Sequence, residues 1–152
     1  MRKLFVFLAM IGTLFASDLK VGNDFDITVE NQFDKQVTVT NDVKKAIVVF
    51  SKDNGHDVRD FLDKQDKNYL QTKNAIYVAD ISGMPSLIYK FFVKGKLQDS
   101  NYPMFLIKED DMSAKYKTAQ NENQIHVVTL NNNKITDIKS VTSVTDMVKA
   151  LD

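Results

Sequence analysis

The sequence predicts an α/β domain of three layers, with a central sheet, helices on both of its faces and an amino-terminal β-hairpin. Apolar runs of strand length recur at 46–50 (AIVVF), 75–79 (AIYVA) and 104–107 (MFLI), separated by segments with helical spacing. Pairs of alternating segments near both ends add antiparallel strands. Five glycines, two prolines and no internal repeat fit one ordinary globular domain without a linker.

The chain opens with MRKLFVFLAMIGTLFAS. Arg2 and Lys3 precede an apolar run at 4–15, and the small residues Ala16 and Ser17 follow, the order of a secretory signal peptide. The run is shorter than the ~20 residues a membrane span needs. Cleavage is expected after Ala16, or one residue later after Ser17, and the chain divides into a signal at 1–17 and one domain at 18–152. The product should be exported to the periplasm, soluble and without stable membrane insertion once the signal is removed. A mature chain of about 135 residues can bury a real core.

The elements follow in order. Segments 25–29 (FDITV) and 36–40 (QVTVT) alternate and read as a hairpin closed by 31–35. The first buried strand is 46–50, and 51–57 (SKDNGHD) is turn chemistry. Val58, Phe61, Leu62 and Tyr69 then recur at helical spacing. Strand 75–79 is closed by Asp80. Ser82 suits an N-cap for the next helix, with Pro85 in its first turn and Gly95 at its end. On that helix Leu87, Ile88 and Phe91 supply the buried stripe, and Tyr89, Phe92 and Val93 extend the apolar surface around the cylinder. Residues 110–117 form a short polar helix or turn. Strands 125–130 and 135–141 flank Asn131, Asn132, Asn133 and Lys134, a turn in which asparagine suits positive φ. Thr142 or Ser143 caps a final helix carrying Val144, Met147, Val148 and Leu151.

Composition excludes several functions. Without Arg2 and Lys3, 18 basic side chains face 20 acidic ones, with no basic stripe and so no footprint for nucleic acid. There is no cysteine, so disulfides, a lipidated cysteine and thiol catalysis are all absent. No catalytic triad pattern, phosphate-binding loop or zinc motif occurs.

The order of these elements resembles the peroxiredoxin-like branch of the thioredoxin fold over most of 23–151. FDITVENQFDKQVTVTNDVKKAIVVF is similar to that branch's opening hairpin and first core strand, YVADIS to its second strand, YPMFLIKEDDMSAKY to its third strand and short helix, and IHVVTLNNNKITDI to its closing hairpin. The pattern is also similar to poorly characterised periplasmic thioredoxin-like proteins of Gram-negative bacteria. The resemblance implies a reactive cysteine at the start of the first helix, where this chain has Ser51-Lys52-Asp53-Asn54-Gly55-His56-Asp57. Asn54 and Asp57 stand at the places of a paired cysteine motif. Upstream of IHVVTL, where the family places an arginine or a cis-proline, stand Asn123 and Gln124. Peroxidase and disulfide-exchange activities are therefore rejected.

Two candidate sites remain. Asp53, Asn54, Gly55, His56 and Asp57 could bind an anion at a helix N-terminus, or a divalent metal through Asp53, His56 and Asp57. Capping explains the same residues, with Asn54 or Asp53 as cap and Gly55 in the turn. His126, within an apolar strand, reads as a structural histidine rather than a ligand shared with His56, and the acidic run Glu109-Asp110-Asp111 as a solvated loop. The second candidate is a contact surface at Tyr89 and Phe92, at least one of which should be exposed. The leading expectation is a cofactor-free, non-redox protein acting by binding a protein or peptide, with self-association left open. The alternative is a thiol-independent metal or anion site at the first helix N-terminus, with hydrolysis as one use.

Overall fold

The computed structural model describes residues 17–152. The signal reading of 1–17 therefore lies, Ser17 apart, outside the described residues. A seven-stranded sheet runs through the domain in the order β2-β1-β5-β4-β3-β6-β7. Its members are β1 (Thr28–Glu30), β2 (Gln36–Thr38), β3 (Lys45–Val49), β4 (Ala75–Asp80), β5 (Met104–Ile107), β6 (Ile125–Asn131) and β7 (Lys134–Val141). β3, β4 and β5 are parallel, joined by helical crossovers, and antiparallel pairs flank them: β1 and β2 on one side, β6 and β7 on the other.

Strand alternation divides the core in two. Ile47, Val49, Tyr77, Met104 and Leu106 face the layer built by α1 (Lys52–Leu62), α2 (Tyr69–Thr72), α4 (Lys94–Gln98) and α6 (Val144–Leu151). Ala46, Val48, Val78, Phe105 and Ile107 face the other way, under α5 (Asp110–Tyr116) and the amino-terminal segment carrying Leu19, Phe25 and Ile27. Helices thus lie on both faces, and the amino-terminal hairpin forms as expected. Asn132 and Asn133 take positive φ of 49° and 63° in the β6–β7 turn, and Ser143 caps α6 by accepting from the Asp146 N–H.

Three helical boundaries differ from expectation. Residues 52–57, expected as a turn, are the opening of α1. Ser51 rather than Asn54 or Asp53 is the cap, its Oγ accepting from the Asn54 N–H at 3.2 Å. Gly55 lies within the helix, because burial of Val58 and Leu62 on the sheet outweighs the weak helix propensity of the polar run. The helix expected to reach Tyr69 ends at Leu62, since 63–68 (DKQDKN) offers nothing apolar to bury, and α2 resumes at Tyr69.

The third difference bears on the site. Ser82 does not cap a helix, because its N–H and Oγ both donate to Asp80 Oδ1 in a turn closing β4. Pro85 is itself the boundary residue of α3 (Ser86–Ile88). α3 passes into a π-helical turn, Tyr89–Val93, where the Lys94 N–H donates to the Tyr89 carbonyl five residues back, and then into α4. The helical run therefore continues past Gly95 to Gln98. Tyr89, Val93 and Leu97 pack on the core; of the predicted stripe, Leu87 and Phe91 point to solvent instead and Ile88 is half-exposed.

Candidate functional site: a cavity at the carboxyl edge of the parallel strands

Between α1 and the helical segment 86–98, above the ends of β3, β4 and β5, lies a cavity of about 480 Å³. Its volume falls in the usual range for small-ligand pockets, and the carboxyl ends of parallel strands are where open α/β sheets bind ligands. The floor is Val49, Tyr77, Ala79, Met104 and Leu106. One wall is the face of α1 that carries Lys52, Gly55 and Arg59, spaced three and four residues apart; the other is Ile88, Val93 and Leu97. Met84 and Pro85 complete the rim.

Among the described residues Asp80, at the end of β4, is the only carboxylate lining the cavity, and its side chain is 1% exposed. Ser82 satisfies one oxygen, Ser113 Oγ donates to the other, and Lys117 Nζ lies 3.8 Å from it. This cluster joins the β4 end to α5 and neutralises both Asp80 and Lys117. Sequence reading missed it, because its two halves, Asp80 with Ser82 and Ser113 with Lys117, lie more than thirty residues apart and carry no motif. Lys52 and Arg59 are different: among the described residues neither forms an ion pair. Arg59 is the only arginine outside the signal segment.

The residues expected to form an anion or metal site all lie on α1, but only Gly55 lines the cavity. Asp53 and Asp57 are exposed, and His56 faces Asp60 across an exposed helical turn at 3.4 Å. Among the described residues no group of three His, Asp or Glu side chains is placed to hold a metal ion. His126 is 2% exposed and fully engaged: Nδ1 lies 2.7 Å from Ser140 Oγ and Nε2 2.8 Å from the Asn121 carbonyl. Burial holds it below the usual histidine pKa, partly opposed by that carbonyl. No cis peptide bond occurs among the described residues, so Pro103 is trans.

The contact-surface candidates separate. Phe92 is 67% exposed, with Phe91 at 69% and Leu87 at 68% beside it. Tyr89 packs inward, its ring 5.0 Å from Lys108 Nζ. Lys108 also bonds Glu30 and Asp34, and Lys94 bonds Asp34, so the hairpin turn clamps the helical segment to the sheet edge. Both lysines hold the Asp34 carboxyl below the usual carboxylate range.

No family model and no curated protein matches the sequence. Solved structures do. A candidate protein disulfide isomerase from Bacteroides thetaiotaomicron aligns with a TM-score of 0.56 at 17% identity, over 87% of this chain and 86% of that one. A peroxiredoxin-like protein from Aquifex aeolicus aligns at 0.53 and 15%, over 91% of each chain. The thioredoxin domain of a thiol-disulfide oxidoreductase from Bacteroides vulgatus aligns at 0.53 and 14%, over 88% and 99%. The fold is thioredoxin-like, of the peroxiredoxin-like kind. This chain carries it without any cysteine.

Proposed function

We propose that this is an exported protein that holds a protein or peptide segment at the cavity and performs no thiol chemistry. One observation carries the reading: the apolar lining of the cavity continues onto an uncovered helix surface. Ile88 lines the cavity and is 45% exposed, and Leu87, Phe91 and Phe92 extend the same surface outward. Uncovered apolar side chains concentrated in this way mark contact sites. A segment lying along the helix could place its end over Leu106 and Met104.

Export rests on the signal pattern at 1–17, and no helix among the described residues is long and apolar enough to cross a membrane. Cleavage after Ala16 is supported by Ser17, whose Oγ donates to the Tyr116 carbonyl, and by Asp18, whose N–H donates to the Lys115 carbonyl. Mass spectrometry of the exported product should give a chain starting at Ser17 or Asp18.

The reading is tested by crosslinking in the native compartment, comparing the wild type with Phe92→Ser. Unchanged melting with reduced crosslinked product is expected. Unchanged crosslinking in a folded Phe92→Ser protein would refute the surface. Insulin reduction and peroxide turnover should stay at buffer levels, since no thiolate exists.

A further inference from the structure

We infer that the cavity recognises an apolar carboxylate, with Arg59 as the residue that reads the negative group. The inference rests on the binding reading above and names the chemistry of the bound end. Three cations line the cavity, Lys52, Arg59 and Lys117, against the single carboxylate of Asp80, which Lys117 and two serines already satisfy. The cavity therefore keeps two cations, Lys52 and Arg59, that form no ion pair among the described residues, beside a floor of aliphatic and aromatic carbon. An anion with an apolar body fits that division, and a neutral or cationic ligand does not. A guanidinium suits a carboxylate better than an ammonium does, because its fixed fork makes two parallel hydrogen bonds. Arg59 is partly buried in the α1 wall, where charge-assisted bonds are stronger than in open water. Gly55, one turn earlier on the same face, contributes no side chain of its own to the wall beside Arg59.

Two sources carry this chemistry: the free carboxyl terminus of a peptide ending in apolar residues, and a free alkyl carboxylate. The experiment measures binding of the mature protein to a fluorescein-labelled alanine-based peptide ending in leucine and phenylalanine, as the free acid and as the carboxamide. Decanoate and decanol are run as the second pair. The acid should bind at least about tenfold tighter than the amide, the worth of one charge-assisted hydrogen-bonded pair. Arg59→Gln should bring that ratio near one with melting unchanged, since Arg59 makes no ion pair among the described residues. Should Arg59→Gln fail to fold, Arg59→Lys keeps the charge and loses the fork, and should still lower the ratio.

Equal binding of acid and amide overturns the inference and leaves the peptide-binding reading standing. An acid preference that survives in folded Arg59→Gln also overturns it. Binding of decanoate but not decanol, lost in Arg59→Gln and without peptide binding, keeps the site and assigns it to free alkyl carboxylates. Absence of binding by every probe overturns both the inference and the reading on which it rests.

Discussion

The Tyr77 hydroxyl donates a 3.3 Å hydrogen bond to the Gly55 carbonyl, joining the middle of β4 to α1 where both line the cavity. The phenol is buried, and this helix carbonyl is the hydrogen-bond partner of its hydroxyl among the described residues. Tyr77→Phe keeps the ring and loses the bond. It should cost about 1 kcal/mol, read from the denaturant midpoint, with the fold retained.

Gly55 itself should tolerate a methyl group. A Cβ there would meet Tyr77 Oη at 3.8 Å and Val49 Cγ2 at 3.9 Å, ordinary contact distances. Glycine within a helix costs about 0.5–1 kcal/mol relative to alanine. Gly55→Ala should therefore raise the melting temperature, and a fall would show that the wall of the cavity has no room.

Burial raises the pKa of Tyr77, Tyr102 and Tyr116, the last to about 12, above the usual phenol value of 10.0. Above pH 10 the unfolded chain loses protons that the folded chain keeps, so stability present below pH 10 declines as pH rises. The slope should reach about 1.4 kcal/mol per pH unit for each tyrosine. Tyr116→Phe should remove one tyrosine's share of it, and stability that stays flat to pH 11 would contradict this burial.

His126 gives the opposite window. Its folded pKa lies below the usual 6.5, chiefly through burial, so the unfolded chain takes up a proton first as pH falls. Its contribution is present above pH 6.5 and is lost as pH falls toward the folded value, again at up to about 1.4 kcal/mol per unit. His126→Gln should flatten the melting profile between pH 6.5 and the onset of carboxylate titration. An unchanged profile would show that His126 can be protonated in the folded state.

The helix 86–98 should divide sharply under mutation. Leu97 is 3% exposed, and Leu97→Ala should cost about 2–5 kcal/mol. Phe91→Ser on the outer surface should stay within about 0.5 kcal/mol of wild type by denaturant melting.

Much of this architecture is legible in the residues. Continuous apolar runs at β3, β4 and β5 mark strands covered on both faces, and asparagines at 132 and 133 mark a turn with positive φ. The start of α1 is hidden because Lys-Asp-Asn-Gly-His-Asp has the composition of a turn, and only burial of Val58 and Leu62 makes it helical. The outward face of 86–98 is hidden for another reason. Six apolar residues at 87–93 define no stripe by themselves, and a π-helical turn shifts the phase so that Tyr89, Val93 and Leu97 pack inward. The cavity was the least legible part, since Arg59, Asp80 and Lys117 come to line it only through the tertiary fold.

The most direct test of the account is an amide NMR titration of the mature protein with the apolar free-acid peptide. Saturable shifts should cluster at 49–55, 81–88 and Leu106, around the cavity and its rim, and leave β7 unmoved. Saturable shifts centred on β7 or α6, or no saturable shifts at all, would contradict binding at the carboxyl edge of the parallel strands.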